Sequence, residues 1–114
     1  MINPCESRED YEKLVASSRA KPVLLLKHST QCPISAKANR EFETFAAAAG
    51  GVECWKIPVI EERDLARIIA EKTGIAHQSP QAILFVNGAP VWNASHYFIT
   101  AESLRKACAS ALKQ

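Results

Sequence analysis

The sequence predicts an α/β domain whose mixed sheet of about four strands is flanked by helices, and three observations predict it. Helical and strand-like apolar patterns alternate every dozen or so residues. A continuously apolar run, Val23 to Lys27, leads within a few residues into a long helical pattern. Near the end of the chain, the pair Asn87-Gly88 joins two strand-like segments, as a tight hairpin turn requires.

Taken in order, "SREDYEKLVASS" opens a first helix. Ser7 with Asp10 three positions later makes a start like a capping box, and Tyr11, Leu14, Val15 and Ser18 follow at helical spacing. "VLLLK", bounded by Pro22 and a polar loop, reads as a central strand buried on both faces. From Cys32 onward Ile34, Ala38, Phe42, Phe45 and Ala49 step by three or four, and Gly50-Gly51 closes this long helix. "VECWKIPV" reads as a second strand. "RDLARIIAEKTG" reads as a helix with Leu65, Ile68 and Ile69 inward and Gly74 as its stop. "QAILFV" and "PVWNAS" form the hairpin, and Thr100 caps a last helix striped by Leu104, Ala107, Cys108, Ala111 and Leu112. A parallel pair joined by a crossover helix, followed by an antiparallel hairpin on the same sheet, is the thioredoxin-like arrangement.

The 114 residues suit one domain spanning 1–114 with one core. No apolar run approaches the ~20 residues of a membrane span, and the polar, acidic start "MINPCESREDYEKL" lacks the features of a secretory signal, so a cytoplasmic protein is expected. The formal charge of +2 comes from dispersed Lys and Arg, which speaks against nucleic acid as a partner. Cys5, Cys32, Cys54 and Cys108 lie at least 22 positions apart, excluding a C-x-x-C pair and zinc-ribbon spacing. His28, His77 and His96, at spacings of 49 and 19, match no metal-ligand pattern, and no metal or bound cofactor is expected.

The chemistry concentrates in "HSTQCPISAKA". Cys32 falls at the N-cap of the long helix and Pro33 at its first position, where a missing N–H costs nothing. Free backbone N–H groups and the helix dipole there favour the thiolate, and the Ser35 hydroxyl can add a hydrogen bond from the same turn. Acidity alone achieves little in attack. A fall in pKa from ~8.5 to ~6.5 raises the thiolate fraction roughly 25-fold but lowers nucleophilicity roughly 8-fold, a net gain of about threefold. Exposure and a surface that positions the disulfide must supply the rest. That surface is expected at "HQSPQ", where Ser79-Pro80 suits a cis bond whose preceding backbone would face Cys32 and pair with an extended substrate.

Together "KHSTQCPIS", "HQSPQAILFVNG" and "WNASHYFIT" resemble the YtxJ family, the monothiol bacilliredoxins, which are thioredoxin-like proteins with a T-x-C-P-I-S active-site stretch. The resemblance runs over nearly the whole chain. It implies removal of bacillithiol from mixed disulfides on oxidised client proteins, with bacillithiol as thiol co-substrate and S-bacillithiolated proteins as partners. Cys32 would attack the bacillithiol sulfur, release the client thiol and become bacillithiolated, and a second thiol would then reset it. A cysteine at position 35 could expel the captured thiol; Ser35 cannot, so the single sulfur is a carrier that waits for an external resolver.

The expected site therefore comprises Cys32 and Ser35 as catalytic residues, Thr30, Pro33, Ser79, Pro80 and His77 as substrate-binding residues, and His28 as a residue that could tune the Cys32 pKa. Cys54 and Cys108 read as small core residues. Cys5, in what reads as a mobile N-terminal stretch, stays outside the catalytic set, although an exposed thiol there could resolve Cys32. Bacillithiol carries malate carboxylates, but Lys37 on the active helix reads as an ordinary solvated lysine. Two other functions are open to this fold. One is a glutaredoxin-like iron-sulfur carrier using Cys32, disfavoured by Pro33 where that motif has glycine. The other is a non-enzymatic docking domain.

Overall fold

Local signals place most of the elements. The computed structural model of the chain describes residues 1–29, 33–58 and 62–113. The Ser7 hydroxyl accepts the Asp10 N–H at 3.1 Å to start helix α1 (Arg8–Ser17). The Asp10 carboxylate reaches back one residue further than a standard capping box, accepting the Glu6 N–H at 2.9 Å. Strand β2 (Val23–His28) leads to helix α2 (Pro33–Ala48), then to strand β3 (Glu53–Pro58) and helix α3 (Arg63–Thr73). Gly74 ends α3 with a φ of 74°, a left-handed value that only glycine adopts without strain. Strands β4 (Gln81–Val86) and β5 (Ala89–Ser95) form the hairpin, with Asn87 and Gly88 both at positive φ. A 3-10 turn (His96–Phe98) precedes helix α4 (Ala101–Leu112), where Thr100 and Ser103 complete a reciprocal capping box. Among the described residues no helix is long and apolar enough to cross a membrane.

The sheet holds five strands, one more than the sequence suggests. The extra one is β1 (Ile2–Pro4), pairing parallel to β3 at the edge, and the strand order is β1-β3-β2-β4-β5. Strand β2 is central, parallel to β3 and antiparallel to β4. Its side chains alternate between two cores. Leu24 and Leu26 pack with Phe42 of α2 and with Leu104 and Cys108 of α4. Val23 and Leu25 pack with Leu14 of α1 and Ile69 of α3. Each of these leucines is removed from water, a contribution of about 2 kcal/mol apiece.

The edge strand corrects the reading of Cys5. The residue is not in a mobile stretch: its N–H donates to the Lys56 carbonyl at 2.8 Å, and its side chain is fully buried beside Tyr11 and Trp55. Burial and then the carboxylates of Asp10, Glu62 and Glu6 push its pKa up to about 12, the opposite of what a resolving thiol needs. Cys54 and Cys108 are core residues as expected, with burial pushing them to about 11 and about 12. In α3, Ala66 rather than Ile68 is buried with Leu65 and Ile69, and in α4 the final Leu112 is half exposed.

Candidate functional site

The C-terminal end of β2 carries the site. Five buried residues, Val23 to Lys27, end in the half-buried His28 and Ser29. Helix α2 begins at Pro33, which is exposed. Thr30 and Cys32 lie outside the described residues. The two sides of that segment are tied together, because the Ser29 N–H donates to the Ser35 hydroxyl at 3.1 Å and Ser35 is fully buried in the first turn of α2. Ser35 thus holds the strand exit against the helix start.

Strand β4 begins at the same end of the sheet, since Gln81 is the register partner of Lys27. The peptide bond between Ser79 and Pro80, just before β4, is cis, and Pro80 is buried. The Pro80 carbonyl accepts the N–H of His96 at 3.1 Å, so the 3-10 turn after β5 closes over the proline. Pro33, Ser35, Ser79 and Pro80 therefore converge on this end of the sheet.

The histidines separate. His28 lines a shallow cleft with Asn3, Glu43 and Lys56 on the β1 side of the sheet. His77 lines a different cleft, against α3, with Ser29, Arg63, Arg67 and Ser79. Its pKa is lowered by partial burial and then by the charge of Lys27. Among the described residues no three His, Cys, Asp or Glu side chains converge as metal ligands.

Lys27 is the residue that sequence reasoning passed over. It continues the Val23 and Leu25 face of β2, has no exposed surface, and its Nζ has no hydrogen-bond partner among the described residues. Burial brings its pKa down to about 8. The buried Ser79 hydroxyl and the buried Oε1 of Gln81, whose amide nitrogen donates to the Ala76 carbonyl at 3.1 Å, also lack partners among the described residues. A lysine directly after four consecutive valine and leucine residues of a central strand was the visible signal.

Comparison with known proteins agrees with this fold. The family model described as "Monothiol bacilliredoxin BrxC" matches residues 3–104. A solved structure described as a candidate oxidoreductase with a thioredoxin fold is 40% identical, with a TM-score of 0.85 over 93% of this chain and 92% of that one. Thioredoxins from Fasciola hepatica (18% identity, TM-score 0.77, covering 95% and 97%) and Trypanosoma brucei brucei (17%, 0.78, 100% and 93%) share the fold.

Proposed function

The chain belongs to the monothiol bacilliredoxin family, and from that premise we propose that it removes bacillithiol from mixed disulfides on oxidised proteins, with Cys32 as the attacking thiolate. The family and the fold make it a thiol-disulfide oxidoreductase. The proposal concerns which disulfides it opens.

In the first step the Cys32 thiolate attacks the bacillithiol sulfur, a new S–S bond forms between them, and the client sulfur leaves with the electron pair of the broken bond and takes up a proton. In the second step a free low-molecular-weight thiolate, bacillithiol itself, attacks the captured bacillithiol sulfur. Bacillithiol disulfide departs and Cys32 returns as a thiolate. Pro33 opens α2 directly after the sulfur, so the helix N-terminus favours the anion both as nucleophile and as leaving group. The backbone before Pro80, at the head of β4, is where a client segment would pair as an added strand.

The observation that carries this reading is the fate of position 35. A thiol there would expel the captured group, but the position holds a buried hydroxyl committed to the Ser29 amide, and Cys5, Cys54 and Cys108 are all buried with raised pKa values. With no internal sulfur in reach of this role, the captured thiol stays until an external one removes it.

Intact mass of the reduced protein, after brief exposure to equal amounts of bacillithiol disulfide and glutathione disulfide, tests the proposal. A single bacillithiol adduct that maps to Cys32 and vanishes in Cys32→Ser is expected. Equal labelling by both disulfides, or labelling at another cysteine, overturns it.

A further inference from the structure

We propose that the cleft between α3 and the loop before β4, lined by Arg63, Arg67, His77 and Ser79, is where the carboxylates of the small thiol bind while its sulfur is exchanged at Cys32. The inference rests on the function proposed above and adds the part of the molecule that tells one small thiol from another.

Charge and geometry converge here. Arg63 and Arg67 are one helical turn apart, so both guanidinium groups project from the same face of α3. Arg67 is partly neutralised by Asp64 at 3.5 Å, whereas Arg63 makes no ion pair among the described residues. Ala66 and Ala70 lie between and beyond them on the helix, and such small side chains leave the cleft open to a volume of about 500 Å³, within the range of small-molecule sites. Ser29 forms the opposite lip, three residues before Cys32 in the sequence.

Lys27 gives the second, independent observation. A lysine with no exposed surface and no partner among the described residues is held in the fold at a cost, and a charge in such a place is normally matched by an opposite one. Lys27 falls on the face of β2 whose Val23 and Leu25 pack with Leu65 and Ile69 of α3, the helix that forms one wall of the cleft. Ser79, whose buried hydroxyl makes no hydrogen bond among the described residues, lines the cleft as well. Two carboxylates on a compact ligand match the two arginines of the lining, Arg63 foremost.

The test measures second-order rates of adduct formation with two disulfides, bacillithiol disulfide and the uncharged bis(2-hydroxyethyl) disulfide, and takes their ratio, which cancels any change in the reactivity of Cys32 itself. Arg63 is exposed, so Arg63→Glu should fold normally. Lys13→Glu on the exposed side of α1 makes the same change in net charge far from the site. Arg63→Glu should lower the ratio about tenfold, the size of one charge-assisted hydrogen bond, and Lys13→Glu should leave it unchanged. A wild-type preference for bacillithiol disulfide that survives Arg63→Glu overturns the cleft while leaving the proposed function standing. A wild-type ratio near one overturns both.

Discussion

Replacing Lys27 by methionine exchanges a buried ammonium for an unbranched apolar chain of similar length, and the fold should become more stable. In the native state the Lys27 pKa falls from 10.5 to about 8 because burial penalises the charged form. A gap of about 2.5 units, at 1.36 kcal/mol per unit, makes holding that charge in the native state cost roughly 3 kcal/mol. Because the folded pKa lies below the unfolded one, the cost is present in full below about pH 8, shrinks as the pH rises, and is gone above 10.5. Lys27→Met should therefore gain about 3 kcal/mol at pH 7, a rise in Tm of roughly 10 °C for a domain of this size, and almost nothing at pH 10.5. The three buried thiols act in the opposite direction. Their pKa values rise from 9.0, so their contribution is present below pH 9 and is lost above it. Both proteins contain them, so they cancel in the difference. Urea unfolding of the two proteins at pH 7, 9 and 10.5 measures that difference directly. A wild type as stable as Lys27→Met at pH 7, or a gap that persists unchanged at pH 10.5, would refute the picture of a charge buried without a partner.

Two other outcomes follow from the same structure. Ser35→Ala removes the acceptor of the Ser29 amide at the exit of β2 and should cost about 1 kcal/mol in denaturant unfolding; an unchanged midpoint would show that this bond does not hold the strand end to α2. Iodoacetamide at pH 8.5 should modify one of the four cysteines in the native protein and all four in urea, because Cys5, Cys54 and Cys108 are buried and stay protonated; rapid native labelling of any of those three would contradict their place in the cores.

The elements read correctly from sequence are those with a local cause. Asn87-Gly88 dictates its turn, Thr100 its helix start, and the run from Val23 to Lys27 its central place in the sheet. Strand β1 has no such cause. "INP" is three residues long and ends in proline, and it exists because its backbone pairs with β3 some 50 positions away, a non-local bond that no window of sequence contains. Missing it made Cys5 look exposed. The site divides in the same way. The cysteine-proline step, Ser35 and the cis proline follow from short motifs, and the structure brings the described ones to one end of the sheet. The cleft does not follow from a motif. Val23 to Leu26 are all apolar, so alternation leaves no trace there, and the face on which Lys27 falls, with the helix that covers it, emerges only from the packing of α3 on the sheet.

At the far end of the sheet, a buried serine joins the two ends of the chain's history. The hydroxyl of Ser18, at the end of α1, accepts the N–H of Gly88 at 2.8 Å, and its carbonyl accepts the N–H of Asn87 at 2.7 Å. The partners are about 70 residues apart, a stretch that a ribosome takes roughly 4 to 14 seconds to make. The last turn of α1 is thus made before the groups that satisfy it, and it can be sealed only when the hairpin arrives.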